Sequence, residues 1–135
     1  MLAIKIRQQC LDEMLSNVRR EPLLESCGLL AGRDGVIARV FAATNAASDP
    51  ARSYEIAPQE LFRLMREIRA AKLGLLGVYH SHPNGKNEPS APDIELAYYP
   101  GTAYFILSPL PEAARPVRAF SIPDGRSAEI EIQVI

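Results

Sequence analysis

Residues 74–79 read Gly-Leu-Leu-Gly-Val-Tyr, a short apolar run that leads directly into His80-Ser81-His82-Pro83. Such a run predicts a central strand covered on both faces, so the chain must fold in layers around it. The strand's period of two sends His80 and His82 to one face and Ser81 to the other. They are the only histidines in the chain. Two neutral imidazoles side by side suit a shared metal ion. Zinc held by two histidines and a carboxylate, with a fourth position left for water, is the open pattern of catalytic sites. Asp93, across a short loop, is the nearest candidate carboxylate. Ser81 is expected to pack or hydrogen-bond on the opposite face, and Pro83 to fix the chain's exit.

The flanking sequence supplies the layers. Leu2, Ile4 and Ile6 alternate with Ala3, Lys5 and Arg7, predicting a first strand with one buried face. Leu11, Met14, Leu15 and Val18 form the stripe of an amphipathic helix, which Pro22 ends. Residues 26–31 and 36–43 read as two arms of a hairpin around Arg33-Asp34-Gly35. A polar loop over 45–52 precedes a short strand at Tyr54-Glu55-Ile56. Pro58 then opens a second helix whose stripe is Leu61, Leu64, Met65 and Ile68, backed by Phe62. After a loop at 83–89, Ser90-Ala91-Pro92-Asp93 opens a third helix expected to end near Tyr98-Tyr99-Pro100-Gly101. Strands follow at 102–107, 115–122 and around Ile130, Ile132 and Val134. No repeat, linker or low-complexity segment divides the chain. The expectation is one α/β (α+β) domain over 1–135, with a mixed sheet and helices packed against it.

Bulk properties narrow the function. A net charge of −1 over 135 residues gives no electrostatic support for nucleic-acid binding. No apolar run approaches the roughly 20 residues that span a bilayer. The N-terminus lacks the basic and long apolar regions of a signal peptide. Two cysteines make no disulfide framework, so Cys10 and Cys27 are expected to be reduced and buried, in a cytoplasmic protein.

Taken singly, the site elements are weak. A His-x-His pair can be incidental, Ser90-x-x-Asp93 is a variant of the helix capping box, and Glu25 alone would be a solvated turn residue. Together they are specific. Glu25 beside Cys-Gly-Leu-Leu, then His80-Ser81-His82-Pro83, then Ser90-x-x-Asp93 seven residues on, resembles the JAMM/MPN+ zinc metalloproteases. That resemblance, of the short prokaryotic type, implies a cytidine-deaminase-like MPN fold: a mixed β-sheet, open or curled, with about three helices. It implies one zinc ion on His80, His82 and Asp93, with Glu25 as the general base. Ser90 would donate its hydroxyl to the carbonyl oxygen where charge develops, while also capping its helix. The zinc-deaminase pattern of His-x-Glu with Pro-Cys-x-x-Cys is absent, as is the helical His-Glu-x-x-His of other metalloproteases. Cys27 is read as structural, and Tyr98 and Tyr99 as packing residues.

What the resemblance implies for function is hydrolysis of a peptide or isopeptide bond after the C-terminal Gly-Gly of a ubiquitin-fold protein. For the short prokaryotic members the expected substrate is a small ubiquitin-like sulfur carrier, with neither nucleic acid nor membrane as partner. Only glycine lets a backbone approach a metal closely, and such a tail could bind by adding a strand to a sheet edge. Two other readings stand beside this one. A non-catalytic MPN-type scaffold would bind no stoichiometric zinc, and a zinc hydrolase could act on a small amide instead.

Overall fold

The computed structural model describes residues 1–99 and 101–135. Seven strands and three helices follow in the order β1 (Ala3–Ile6), α1 (Gln8–Arg20), β2 (Cys27–Arg33), β3 (Val36–Ala43), α2 (Pro58–Ala70), β4 (Gly74–Ser81), α3 (Ala91–Glu95), β5 (Ala103–Leu107), β6 (Val117–Ser121) and β7 (Ala128–Val134). The strands close into a barrel in the order β1-β3-β2-β4-β5-β6-β7, shut by parallel pairing of β7 with β1. The sheet is mixed, as the sequence predicts, and its curl goes all the way to closure. Among the described residues no helix is long and apolar enough to cross a membrane.

β4 is central, antiparallel to β2 on one side and parallel to β5 on the other. Period-two alternation divides the core around it. Leu30, Tyr79, Phe105 and Leu107 join Ile4, Ile6 and the α1 residues Cys10, Met14 and Val18 in one cluster. Leu29, Val78, Tyr104 and Ile106 face the other way, packing with Leu64 and Ile68 of α2. The strand therefore has helices on both faces, which explains why its sequence is apolar almost throughout. His80 and His82 share the parity of Val78 and so lie on the α2 side.

The hairpin forms as expected. Asp34 and Gly35 have φ of +52° and +75°, the two positive angles of a type I′ turn. Two segments differ from expectation. Tyr54-Glu55-Ile56 forms no strand, because the 45–46 loop takes the Glu55 backbone groups: its N–H donates to Asn45 Oδ1 (3.1 Å) and its C=O accepts from Ala46 N–H (2.7 Å). The third helix stops at Glu95, far short of Tyr98. Beyond it the Tyr99 N–H donates to the Tyr104 hydroxyl (2.8 Å) and the Tyr99 carbonyl accepts from Thr102 (2.7 Å), so the chain turns into β5 instead. The expected helix end at Pro100 lies outside the described residues. Phe62 does not back the α2 stripe; it is 66% exposed, beside the Arg66 guanidinium.

Candidate metal centre

The end of β4 carries both histidines below the barrel surface, His80 at 2% and His82 at 9% exposure. Their Nε2 atoms are 3.1 Å apart. The carboxylate of Asp93 completes a triangle, with Oδ1 3.1 Å from His80 Nε2 and Oδ2 3.1 Å from His82 Nε2. A tetrahedral ion about 2.0–2.1 Å from each ligand needs ligand–ligand edges of about 3.3–3.4 Å. The observed edges are close to that, so the donor set and its spacing fit zinc.

Asp93 is delivered by α3, and the helix start holds it still. Ser90 N–H donates to Asp93 Oδ2 (2.8 Å) and Asp93 N–H donates to Ser90 Oγ (3.3 Å), a reciprocal capping box. Capping uses Ser90 Oγ only as an acceptor, which leaves its own proton free to donate. The intervening loop is anchored as well. His82 Nδ1 donates to the Lys86 carbonyl (2.6 Å), and the neighbouring Asn87 side chain donates to the Arg115 carbonyl (2.6 Å). Ser81 points away from the metal side, where its Oγ accepts from Ser26 N–H (2.9 Å), so its expected hydrogen-bonding role is observed.

Glu25 lies just before β2, and a carboxylate oxygen comes within 4.8 Å of the ligand nitrogens of both histidines. It is 6% exposed. Its backbone is clamped to the loop opposite: Glu25 N–H donates to the Pro50 carbonyl (2.8 Å), and its carbonyl accepts from Asn45 Nδ2 (2.9 Å). Burial raises the Glu25 pKa to about 7, with His82 lowering it and the Asp93 charge raising it further. Burial works against the charge on Asp93 too, but its hydrogen bonds from His80 and His82 hold it well below the usual carboxylate range. Burial lowers the pKa of His80. For His82 burial opposes protonation, yet its bonds to Asp93 and Lys86 raise it overall. Two carboxylates thus sit in one site with opposite tendencies, one kept ionised and one tuned toward neutrality.

A cavity of about 330 Å³ opens at the centre. Glu25, Tyr54, Ser90 and Asp93 are its ionisable or hydroxylic lining near the histidines, and Leu29, Ile56, Leu61, Val78 and Leu96 supply an apolar wall. Tyr98 and Tyr99 also line it, and Tyr98 is 71% exposed, so Tyr98 does not have the packing role expected of it. Cys27 and Cys10 are free and buried as expected. Burial pushes the Cys27 thiol up to about 12, so it is not a thiolate at neutral pH. Two residues that sequence reasoning passed over belong to the site. Asn45 bridges Glu25 to the 50–55 loop, and the Tyr54 ring stacks on His80 with centroids 4.4 Å apart and planes at 22°. The one available signal was an asparagine opening a polar loop, a residue type able to imitate backbone groups.

Comparison with known proteins agrees with this layout. The family described as prokaryotic homologs of the JAB domain matches residues 7–123. A desampylase of Haloferax volcanii is 40% identical over 105 residues, covering 73% of this chain and 75% of that protein. A probable TtuB-protein conjugate cleaving protease of Thermus thermophilus is 31% identical over 131 residues, covering 97% and 84%. A solution structure of a protein from Desulfitobacterium hafniense superposes with a TM-score of 0.85 at 33% identity, covering 98% and 92%. The chain belongs to the family of prokaryotic homologs of the JAB domain.

Proposed function

We propose that this chain is a zinc-dependent protease that cleaves the peptide or isopeptide bond after the C-terminal Gly-Gly of a ubiquitin-fold sulfur carrier. The observation that carries the reading is the triangle of His80 Nε2, His82 Nε2 and Asp93 at 3.1 Å edges, with the buried Glu25 carboxylate beside it. His80, His82 and Asp93 would hold one zinc ion. Bound there, zinc supplies Lewis acidity and lowers the pKa of a coordinated water toward about 7.

The remaining work falls to side chains. Glu25, with a pKa near 7, takes the proton of the attacking water and returns it to the leaving amine. As the scissile carbonyl oxygen gains charge, Ser90 Oγ, an acceptor in its cap, would donate its proton to it. The apolar wall of the cavity excludes water from the reacting atoms and offers a slot for an extended tail. Curated relatives named for desampylation and for cleaving a protein conjugate support a conjugated protein as substrate, rather than a small amide. A scaffold without catalysis is not favoured, since the relatives are named as a desampylase and a protease, and His80, His82 and Asp93 converge with Glu25 beside the histidines.

The test is a purified ubiquitin-fold carrier extended beyond its Gly-Gly, or joined through it to a lysine, incubated with the protein. Cleavage after the second glycine, lost with a chelator and restored by zinc, is the expected result. Cleavage that persists after complete zinc removal overturns the mechanism, and a zinc-loaded protein inert on every such carrier overturns the substrate.

A further inference from the structure

The two histidines are supported in different ways. His82 donates its Nδ1–H to the Lys86 carbonyl at 2.6 Å, the arrangement that fixes the tautomer and ring plane of a metal-bound imidazole. Among the described residues His80 has no such partner. Its Nδ1 is buried and unpaired, in a side chain only 2% exposed. With Nε2 directed at the ion, the proton must sit on Nδ1, and among the described residues no hydrogen bond there fixes the ring. The His82 ring meets it edge-on at 4.9 Å and 63°, and Tyr54 stacks on its face at 4.4 Å and 22°.

We propose that Tyr54 is the positioning residue of His80, its ring face doing for this ligand what the Lys86 carbonyl does for His82. Two features support this beyond the contact. Tyr54 is itself clamped, because Asn45 accepts from Glu55 N–H (3.1 Å) and donates to the Ser53 carbonyl (2.9 Å), gripping the residues on either side of it. Electrostatics also favour the loaded state. An imidazole that donates its lone pair to a dication becomes electron-poor, and an electron-rich phenol face attracts it more strongly than it attracts the free ring. An interaction stronger with the ion present adds to affinity for it, whereas equal stacking in both states would add nothing.

This rests on the metal centre proposed above, and zinc affinity tests it without reference to turnover. Wild type, Tyr54→Leu and Tyr54→Phe are compared by competition with a chromophoric chelator at fixed pH. The visible spectra of the cobalt-loaded proteins serve as a second readout. Metal-free folding is checked by far-UV circular dichroism, with Tyr54→Val as a second aliphatic variant should the leucine form not fold. Loss of the ring is expected to weaken zinc binding by about 10- to 100-fold, the usual effect of removing a support for a metal ligand. Tyr54→Phe, which keeps the face, is expected to stay within about threefold of wild type. The cobalt bands of Tyr54→Leu should change in position and intensity while those of Tyr54→Phe do not. An aliphatic variant that binds zinc as tightly as wild type overturns the role of Tyr54. So does a phenylalanine variant as weak as the leucine one. A wild-type chain that takes up no zinc overturns the metal centre itself.

Discussion

A carboxylate serves as a general base when its pKa lies near the working pH and it stands within reach of the proton it moves. Glu25 meets the first condition through burial and the second through its place beside the histidine nitrogens. Glu25→Gln keeps the shape and removes the base, so turnover should fall by about 10²–10⁴-fold. Zinc content measured by atomic emission should remain at the wild-type level; full retained activity would remove Glu25 from its role. Ser90→Ala deletes both a cap and a donor. We expect kcat to fall by about 100-fold, as for loss of one oxyanion donor, together with about 1 kcal/mol of stability from the missing cap. A change confined to stability would leave Ser90 as a cap only. The Cys27 thiol, buried and pushed up to about 12, should resist iodoacetamide in the folded protein and react only after denaturation. His80, His82, Ser90 and Asp93 are legible in sequence as candidates because their spacing is a pattern, and Glu25 only through the family resemblance. Tyr54 and Asn45 are not, because what they do depends on residues brought beside them by the fold.

Elements show the same division between local and distant causes. The β2–β3 hairpin follows from Asp34-Gly35 alone, since the type I′ turn needs two positive φ angles and these residues accept them. Glycine at position 32 has a different origin, for β2 shifts register against β3 between Ala31 and Gly32. A Cβ at that position would lie 1.7 Å from the Val36 carbonyl oxygen, so the backbones approach too closely for any side chain. Gly32→Ala should therefore destabilise the protein by about 3 kcal/mol or more, read from the denaturant midpoint, through overpacking against backbone that cannot yield. A wild-type midpoint would mean that the register shift is not rigid. The expected strand at 54–56 and the long third helix failed for related reasons. Periodicity and propensity describe what a segment could do with its own backbone bonds, whereas here Asn45 and Tyr104 had already taken them.

For the molecule as a whole, the question is how far the metal and the fold depend on each other. Both apolar clusters are complete without an ion, and the site lies where β4 runs out into the 82–90 loop. Zinc removal is therefore expected to leave the barrel folded, with an unchanged far-UV spectrum. Binding only to the folded state, zinc at 100 times its dissociation constant adds about 2.7 kcal/mol. For a chain of this length that corresponds to a Tm about 10 °C higher than in chelator, measurable by calorimetry. Unfolding on chelation would instead make the ion part of the core.

The sequence by itself determined the elements whose signals are short-ranged: the alternation of β4, the stripes of α1 and α2, the Asp-Gly turn and the capping box at Ser90. It also named the candidates for the chemistry, two imidazoles, two carboxylates and a hydroxyl, that the proposed function uses. Only the tertiary structure decided that the mixed sheet closes, since β1 and β7 lie at opposite ends of the chain and no local periodicity registers one against the other. It also decided what surrounds the candidate ligands, where an exposed-looking loop supplies the ring against His80 and the clamp on Glu25. Hydrophobic pattern is written along the chain and survives being read in one dimension. Contact between distant residues exists only once the core has formed and brought them together.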